Sequence, residues 1–362
     1  MDKLIKTLKE LSEAPGASGF EGSVRKIMRS NLSAFCEKLE TDGIGSLIAT
    51  RSNSPDKPNL MISAHMDEVG LLVRYITEEG FIKFQTLGGW LDQAIVGQRW
   101  KLLTSSGELT AISGIKTPHV MNIEERGKVF NKEELFLDVG ASNKQDAVDR
   151  LGIRPGDPIV PYSEFEILNG SDLLVGKAWD DRCGLAVMSA VMERIKNTEI
   201  PSNIVAVSTV QEEVGLRGAH TSSAIVKPDL AINLESGVAG DYPGITEYEA
   251  QEKVGCGPAI FLHDSSMLPN LKLRDLVEKT AREIDVPLQY NVLSGYGQDG
   301  AEIQKTNGGT PTINITVPTR YLHSHNSIIS YTDVKSAVKL IIALLNKIDK
   351  KIVNEISSFD QT

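Results

Sequence analysis

Cysteine is scarce in this chain: Cys36, Cys183 and Cys256 are the only three in 362 residues. They are odd in number and far apart, which excludes a disulfide framework and a thiolate zinc cluster. A reducing cytoplasm is the expected location. Positive charge is also in deficit, with 38 Lys and Arg against 48 Asp and Glu and a net charge of −10. That balance argues against a nucleic-acid or anionic-membrane partner. No stretch approaches the roughly 18 apolar residues of a membrane span. The first residues lack a long apolar core or a cleavage site, and Leu4, Ile5, Leu8 and Leu11 share one helical face, so they read as a first domain helix. The chain does have core-forming residues, at 41% hydrophobic. Its length suits two domains or one large one.

Helical and strand patterns alternate at the start. A helix is expected over Asp2–Glu13, a turn over Pro15–Gly19, a second helix over about Glu21–Phe35, and strands over Gly45–Thr50 and Asn59–Ala64, the last ending on His65. From about Leu71 to Phe165 the pattern changes to short β-like runs (Leu71–Ile76, Phe81–Thr86, Trp100–Thr104, Leu109–Ile115, Leu135–Val139) separated by glycines. Such spacing predicts a small all-β domain. After Leu174 the alternation resumes, with a helix over Gly184–Lys196, strands over Asn203–Val210 and Leu230–Leu234, a helix over Leu271–Ile284, a strand over Pro311–Val317 and a last helix over Thr332–Asp349. Nearly continuous apolar strands between helices imply a sheet covered on both faces. The expectation is an α/β domain interrupted by an inserted β domain.

Ligands in open α/β sheets bind beyond the carboxyl ends of strands. Polar groups gather at such ends here. His65-Met66-Asp67 follows the strand at Asn59, Glu212-Glu213 follows Asn203–Val210, Glu235 follows Leu230–Leu234, and His323 lies shortly after Val317. Asp180-Asp181 opens a helix. Each has an ordinary reading taken alone. Adjacent glutamates are usually a solvated strand end, paired aspartates cap helices, Glu235 can hold a basic loop residue, and His323 can be a core imidazole. Their shared location favours one site. Histidine with carboxylate suits zinc, cobalt or manganese rather than calcium, and two ions about 3.5–4 Å apart polarise a scissile carbonyl. Asp180 suits a bridging carboxylate. Asp67 is placed to fix the second nitrogen of His65. Glu212 and Glu213 read as a general base beside a metal ligand, provided that the chain turns there, because neighbours on a regular strand face opposite ways.

These residues carry a resemblance. Ser63–Gly70 (SAHMDEVG), Gly176–Gly184 (GKAWDDRCG), Gln211–Ala219 (QEEVGLRGA) and Pro318–Ser324 (PTRYLHS), with looser matches at Pro15–Gly19 and Ala239–Gly244, together resemble the M42 metallo-aminopeptidases, the glutamyl and TET aminopeptidase group formerly labelled endoglucanase M-like. The resemblance spans nearly the whole chain. It implies a mixed sheet sandwiched by helices, as in dinuclear zinc peptidases, formed by residues 1–70 and 166–362. Residues 71–165 would be an inserted β-barrel-like dimerisation domain. It also implies two divalent ions per subunit, zinc, cobalt or manganese. His65, Asp180 and Glu235 would hold one, and Asp180, Glu213 and His323 the other. Glu212 would be the general base and Asp67 the residue orienting His65. Short peptides would be the substrates, and a dimer-based tetrahedral dodecamer the assembly. The chain departs from the family where it has Glu235 for the usual Asp, and where it reads Gly297-Gln298-Asp299-Gly300-Ala301 for Gly-Gly-Thr-Asp-Ala. His325 is also outside the usual pattern; it reads as a spare ligand or a surface histidine, and the surface is the expectation. His119 is expected to be a local structural residue of the inserted domain.

The expected reaction is removal of an N-terminal amino acid. The alternatives are a deacylase, dipeptidase or carboxypeptidase on the same metal core, or a metal-binding relative with altered catalysis. An endoglucanase needs a carboxylate pair and no metal, which would leave His65 and His323 without a task.

Overall fold

The computed structural model describes residues 2–52 and 54–359. Its centre is four parallel strands in the order Asn203–Thr209, Asn59–His65, Leu230–Val238, Thr312–Arg320. These strands are buried along nearly their whole length. Their apolar residues form two cores, one on each face. Ile62, Ile204, Ile232 and Ile313 face one layer of helices, whereas Met61, Val205, Val207 and Ala231 face the other. Each fully buried Ile or Val contributes about 1.5–3 kcal/mol, so the alternation fixes the register of the sheet. The first helical layer is organised around Trp179–Arg194, with Lys3–Glu13 and Tyr331–Leu345 packed against it. The second includes Arg217–Val226 and Gly300–Lys305.

Antiparallel strands extend the parallel centre on both sides, giving a mixed sheet of eleven strands among the described residues. Leu47–Thr50 and Lys38–Thr41 form one flank. Ser327–Ser330, Leu173–Gly176 and Glu166–Ile167 form the other, and Ala259–His263 branches from Thr312–Arg320 and carries Gln289–Val292. Between Gly70 and Pro161 six antiparallel strands close into a barrel. It is filled by Ile82, Trp100, Leu102, Leu137 and Ile159. No helix among the described residues is long and apolar enough to cross a membrane.

The last predicted helix differs from the structure. Expected over Thr332–Asp349, it spans Tyr331–Leu345, and a further helix that was not expected, Lys350–Ser357, follows it. The apolar periodicity runs on through Ile348, which is buried. Asp349 nevertheless starts a second helix by accepting the Ile352 N–H at 2.8 Å, an N-cap that interrupts the first.

Candidate metal centre

The parallel strands deliver their side chains to one rim. His65 ends its strand in register with Thr209, the last residue of the neighbouring strand. Glu235 lies in the next strand over, and His323 follows three residues after the fourth ends. Asp180 enters from the start of the helix packed beneath. Two groups of potential ligands result, His65 with Asp180 and Glu235, and Asp180 with Glu213 and His323, each with its ligand atoms within 4.8 Å of one another. Asp180 belongs to both. Its Oδ1 is 2.9 Å from His65 Nε2 and its Oδ2 is 3.3 Å from His323 Nε2. Glu235 Oε1 is 3.4 Å from His65 Nε2, and Glu213 Oε2 is 3.5 Å from His323 Nε2.

Both imidazoles are oriented the same way. His65 Nδ1 faces the Asp67 main-chain carbonyl at 3.0 Å, and His323 Nδ1 faces the Gly89 carbonyl at 2.7 Å. A carbonyl only accepts, so each Nδ1 carries a proton and each ring turns its Nε2 toward the carboxylates. That is the arrangement of a ligating histidine. Burial would lower both imidazoles, but those carboxylates outweigh it and raise them, His323 up to about 10.

The carboxylates are poorly balanced by themselves. Burial pushes Glu213 up to about 7 and Glu235 up to about 8. Burial also drives Glu212 well above the usual carboxylate range, helped by the charges of Glu235, Glu213 and Asp299 and opposed by His65. Asp180 goes the other way. Burial would raise it, but the His323 and His65 imidazoles outweigh burial and hold it well below the ordinary range. Glu213 Oε1 and Glu235 Oε2 are buried without a hydrogen-bond partner. Buried acids in excess, orphaned oxygens and two aligned imidazoles fit a pair of divalent cations.

The adjacent glutamates reach one site because the chain turns sharply after Thr209. Gln211 adopts a left-handed φ of +56°. The N–H groups of Glu212 and Glu213 both donate to the Asp67 carboxylate, at 2.9 and 3.2 Å. Ser18 Oγ donates to the same group at 2.6 Å. Asp67 therefore touches His65 with a different atom than expected. Its backbone carbonyl orients the ring, while its carboxylate, 3.6 Å from Nδ1, is too distant for a hydrogen bond and anchors the glutamate turn instead. The two aspartates also divide. Asp180 faces the centre, whereas Asp181 accepts the His65 N–H at 3.2 Å and the Gly184 N–H at 3.0 Å. A Cβ on Gly184 would lie 2.4 Å from Asp181 Oδ1, so glycine is required there.

His325 is not at the surface. It is buried, with Nε2 3.0 Å from the Arg99 carbonyl and its ring edge-on to Trp100 at 4.3 Å. The apolar shell of the barrel takes up the imidazole, which the sequence pattern does not indicate. His119 is exposed and lies 3.3 Å from Thr117 Oγ1. The sequence also gave no sign that Gly89 would orient His323, because a glycine contributes only its backbone. Tyr296 and Leu216 carry no signal of their own in the sequence either, yet with the ligands and Gly297, from the loop where the chain departs from the family pattern, they line a cavity of about 340 Å³. Larger hollows, such as that between Leu268 and Phe359, hold neither ligand group.

Histidines and carboxylates converging at the ends of parallel strands, with a spare glutamate beside them, define a metallohydrolase. The profile of the M42 glutamyl aminopeptidases matches residues 45–340, and the chain belongs to that family. It is therefore a metal-dependent aminopeptidase, a hydrolase of peptides that uses divalent ions. It is 39% identical to a TET aminopeptidase from a marine sediment archaeon of the Thaumarchaeota, with a TM-score of 0.95 over 98% of this chain and 99% of that one. It is 30% identical to the glutamyl aminopeptidase of Lactococcus lactis, over 99% of this chain and all of the relative. The TET1 peptidase of Pyrococcus horikoshii, which can assemble into a tetrahedron or a large octahedral shell, is 29% identical with a TM-score of 0.86, over 96% of this chain and 100% of its own.

Proposed function

We propose that the enzyme releases N-terminal residues from short peptides at a dinuclear centre. His65, Asp180 and Glu235 would hold one divalent ion and Asp180, Glu213 and His323 the other. The observation that carries this reading is the pair of ligand groups sharing Asp180, with Glu212 beside them but outside both. When bound, the ions supply Lewis acidity, acidifying a water and polarising the scissile carbonyl. Glu212 is the general base. Its Oε2 lies 4.0 Å from His65 Nε2 and its side chain is almost fully buried. It takes the proton of the attacking water and returns it to the leaving amine. Burial keeps that carboxyl basic enough for both transfers. Asp67 holds the turn that aims it.

Glu212→Gln is the test. Turnover should fall about 100- to 10,000-fold, while the purified protein retains two ions per chain by elemental analysis. Unchanged turnover removes Glu212 from the role. Activity on N-acetylated peptides equal to that on free ones would favour a deacylase on the same core.

Residues 1–70 and 166–362 are proposed as the catalytic domain and 71–165 as the inserted domain that makes subunit contacts. Exposed Leu91, Val120, Ile123 and Val129 on the inserted segment are apolar surface of the kind that marks interfaces. By analogy with the tetrahedral TET1 assembly, we place the chain in a homo-oligomer, a dodecamer being expected. The cysteines are all unpaired, in keeping with the proposed cytoplasmic location.

A further inference from the structure

We propose that the site selects peptides whose N-terminal side chain is neutral and apolar, and that Tyr296 and Leu216 form the wall which that side chain meets. This rests on the aminopeptidase reading above and sharpens it to a substrate class.

The cavity divides by chemistry. Asp180, Glu212, Glu213, Glu235 and His323 belong to the reacting centre. What remains of the lining is Gly89, Leu216, Gly295, Tyr296 and Gly297. Among the described residues no lysine or arginine borders the cavity, so an acidic side chain would find no partner there. The nearest cation on the segment carrying His323 is Arg320. It is committed to Asp241, with Nε 2.8 Å from Oδ1 and a second contact from Nη2 to Oδ2. Arg217 follows Leu216 but is exposed and donates to Gln211 Oε1 at 3.0 Å. A basic side chain does no better. The four carboxylates in the cavity all have tasks, and Asp299 behind them is buried with Oδ2 on Thr209. A charged side chain would therefore lose water without gaining a partner.

The rest of the wall offers carbon. The Tyr296 ring is stacked on Phe261, with centroids 5.4 Å apart and planes 17° from parallel. Its hydroxyl donates to the Ser236 carbonyl at 3.0 Å. The ring is thus held from behind and its proton is engaged away from the substrate. Leu216 has a left-handed φ of +56°, a conformation that favours glycine. A leucine kept there supplies a side chain that the backbone would sooner omit. Gly295 and Gly297 leave the space between them open, since a Cβ on either meets nothing closer than Ser266 Oγ at 3.6 Å.

The experiment measures kcat/KM for leucyl, tryptophanyl, glutamyl and lysyl p-nitroanilides with the zinc-, cobalt- and manganese-loaded enzyme, together with competitive inhibition by free L-leucine, L-glutamate and L-lysine. Leucyl should exceed glutamyl and lysyl by tenfold or more, and L-leucine should be the tightest of the three inhibitors. A glutamyl or lysyl rate equal to or above leucyl overturns the substrate class and leaves the aminopeptidase standing. No turnover of any free-amine substrate overturns both. Leu216→Lys should move the glutamyl-to-leucyl ratio up at least tenfold. Tyr296→Phe should keep the leucyl preference, whereas Tyr296→Ala should lower the leucyl rate relative to tryptophanyl. Ratios unmoved by both Leu216→Lys and Tyr296→Ala in folded protein would remove these residues from the wall.

Discussion

At the scale of single residues, the proposed site gives neighbours different tasks. Glu212 and Glu213 are adjacent, as are Asp180 and Asp181, and in each pair one member belongs to the potential ligand groups and the other does not. The sequence made these pairs visible and the family resemblance implied how they divide; what neither showed is the turn at Gln211 and the Asp181 contacts that hold the members apart. Asp67 shows the difference most directly. Its place two residues after His65 was readable, but its three carboxylate partners, Ser18 and the two glutamate N–H groups, come from segments far apart in the chain. Asp67→Asn would leave one of those N–H groups facing an amide donor. Its kcat should drop by about 10- to 100-fold, the usual cost of losing a group that orients ligands. Ser18→Ala removes a single donor and should cost less. Steady-state kinetics of the two variants test this order, and an Asp67→Asn enzyme with wild-type kcat would detach the carboxylate from the site.

At the scale of elements, the parallel centre was legible because its strands are apolar on both faces, and the barrel because glycines separate its short runs. Of the flanks, only Leu47–Thr50 was legible, within the strand expected over Gly45–Thr50. Lys38–Thr41 is partly exposed and mixed in polarity, and Gln289–Val292 reads Gln-Tyr-Asn-Val, so neither has a period. Glu252 shows how such a flank is tied in. It is fully buried, and its Oε1 accepts from Asn291 Nδ2 in Gln289–Val292 and from Thr316 Oγ1 in the central strand, both at 3.0 Å. Burial pushes its carboxyl up to about 7, against the pull of those two donors. The folded-state pKa therefore lies above the unfolded value, so the native state holds the proton more tightly. The associated stability is full below about pH 4.5 and is lost as pH rises through 7. A shift of that size is worth at most on the order of 3 kcal/mol. Glu252→Gln keeps an acceptor for both donors and cannot ionise. Its melting temperature should exceed wild type by a few degrees at pH 8, with the gap closing below pH 5. The same scan can follow Asp349→Ala. Loss of the cap on the Ile352 N–H should cost about 1 kcal/mol with little dependence on pH.

At the scale of the whole molecule, the barrel is a second support of the active site as well as an insertion. The loop that carries His323 is held to the barrel and the chain beside it at three points. His323 Nδ1 reaches the Gly89 carbonyl at 2.7 Å, His325 Nε2 reaches the Arg99 carbonyl at 3.0 Å, and Asn326 Oδ1 accepts from Ser163 Oγ at 2.7 Å. His325 sits among Trp100 and Trp90. Burial, aided by the charge of Lys177, holds its imidazole down to about 4, against the pull of the Arg99 carbonyl. It is neutral in the fold. A depressed folded-state pKa means that its contribution is present above about pH 6.5 and is lost as pH falls toward 4. Two outcomes are expected of His325→Ala. The ion proposed for Asp180, Glu213 and His323 should be held about 10- to 100-fold more weakly, because the loop that positions His323 loses its anchor while His65 and Glu235 keep theirs. Graded chelation followed by elemental analysis should then yield a species with one ion per chain at chelator concentrations that leave the wild type with two. The acid limb of the melting curve between pH 6.5 and 4 should also flatten relative to wild type. Equal loss of both ions would mean that the barrel contact does not discriminate between the two ligand groups, and that His325 supports only the fold.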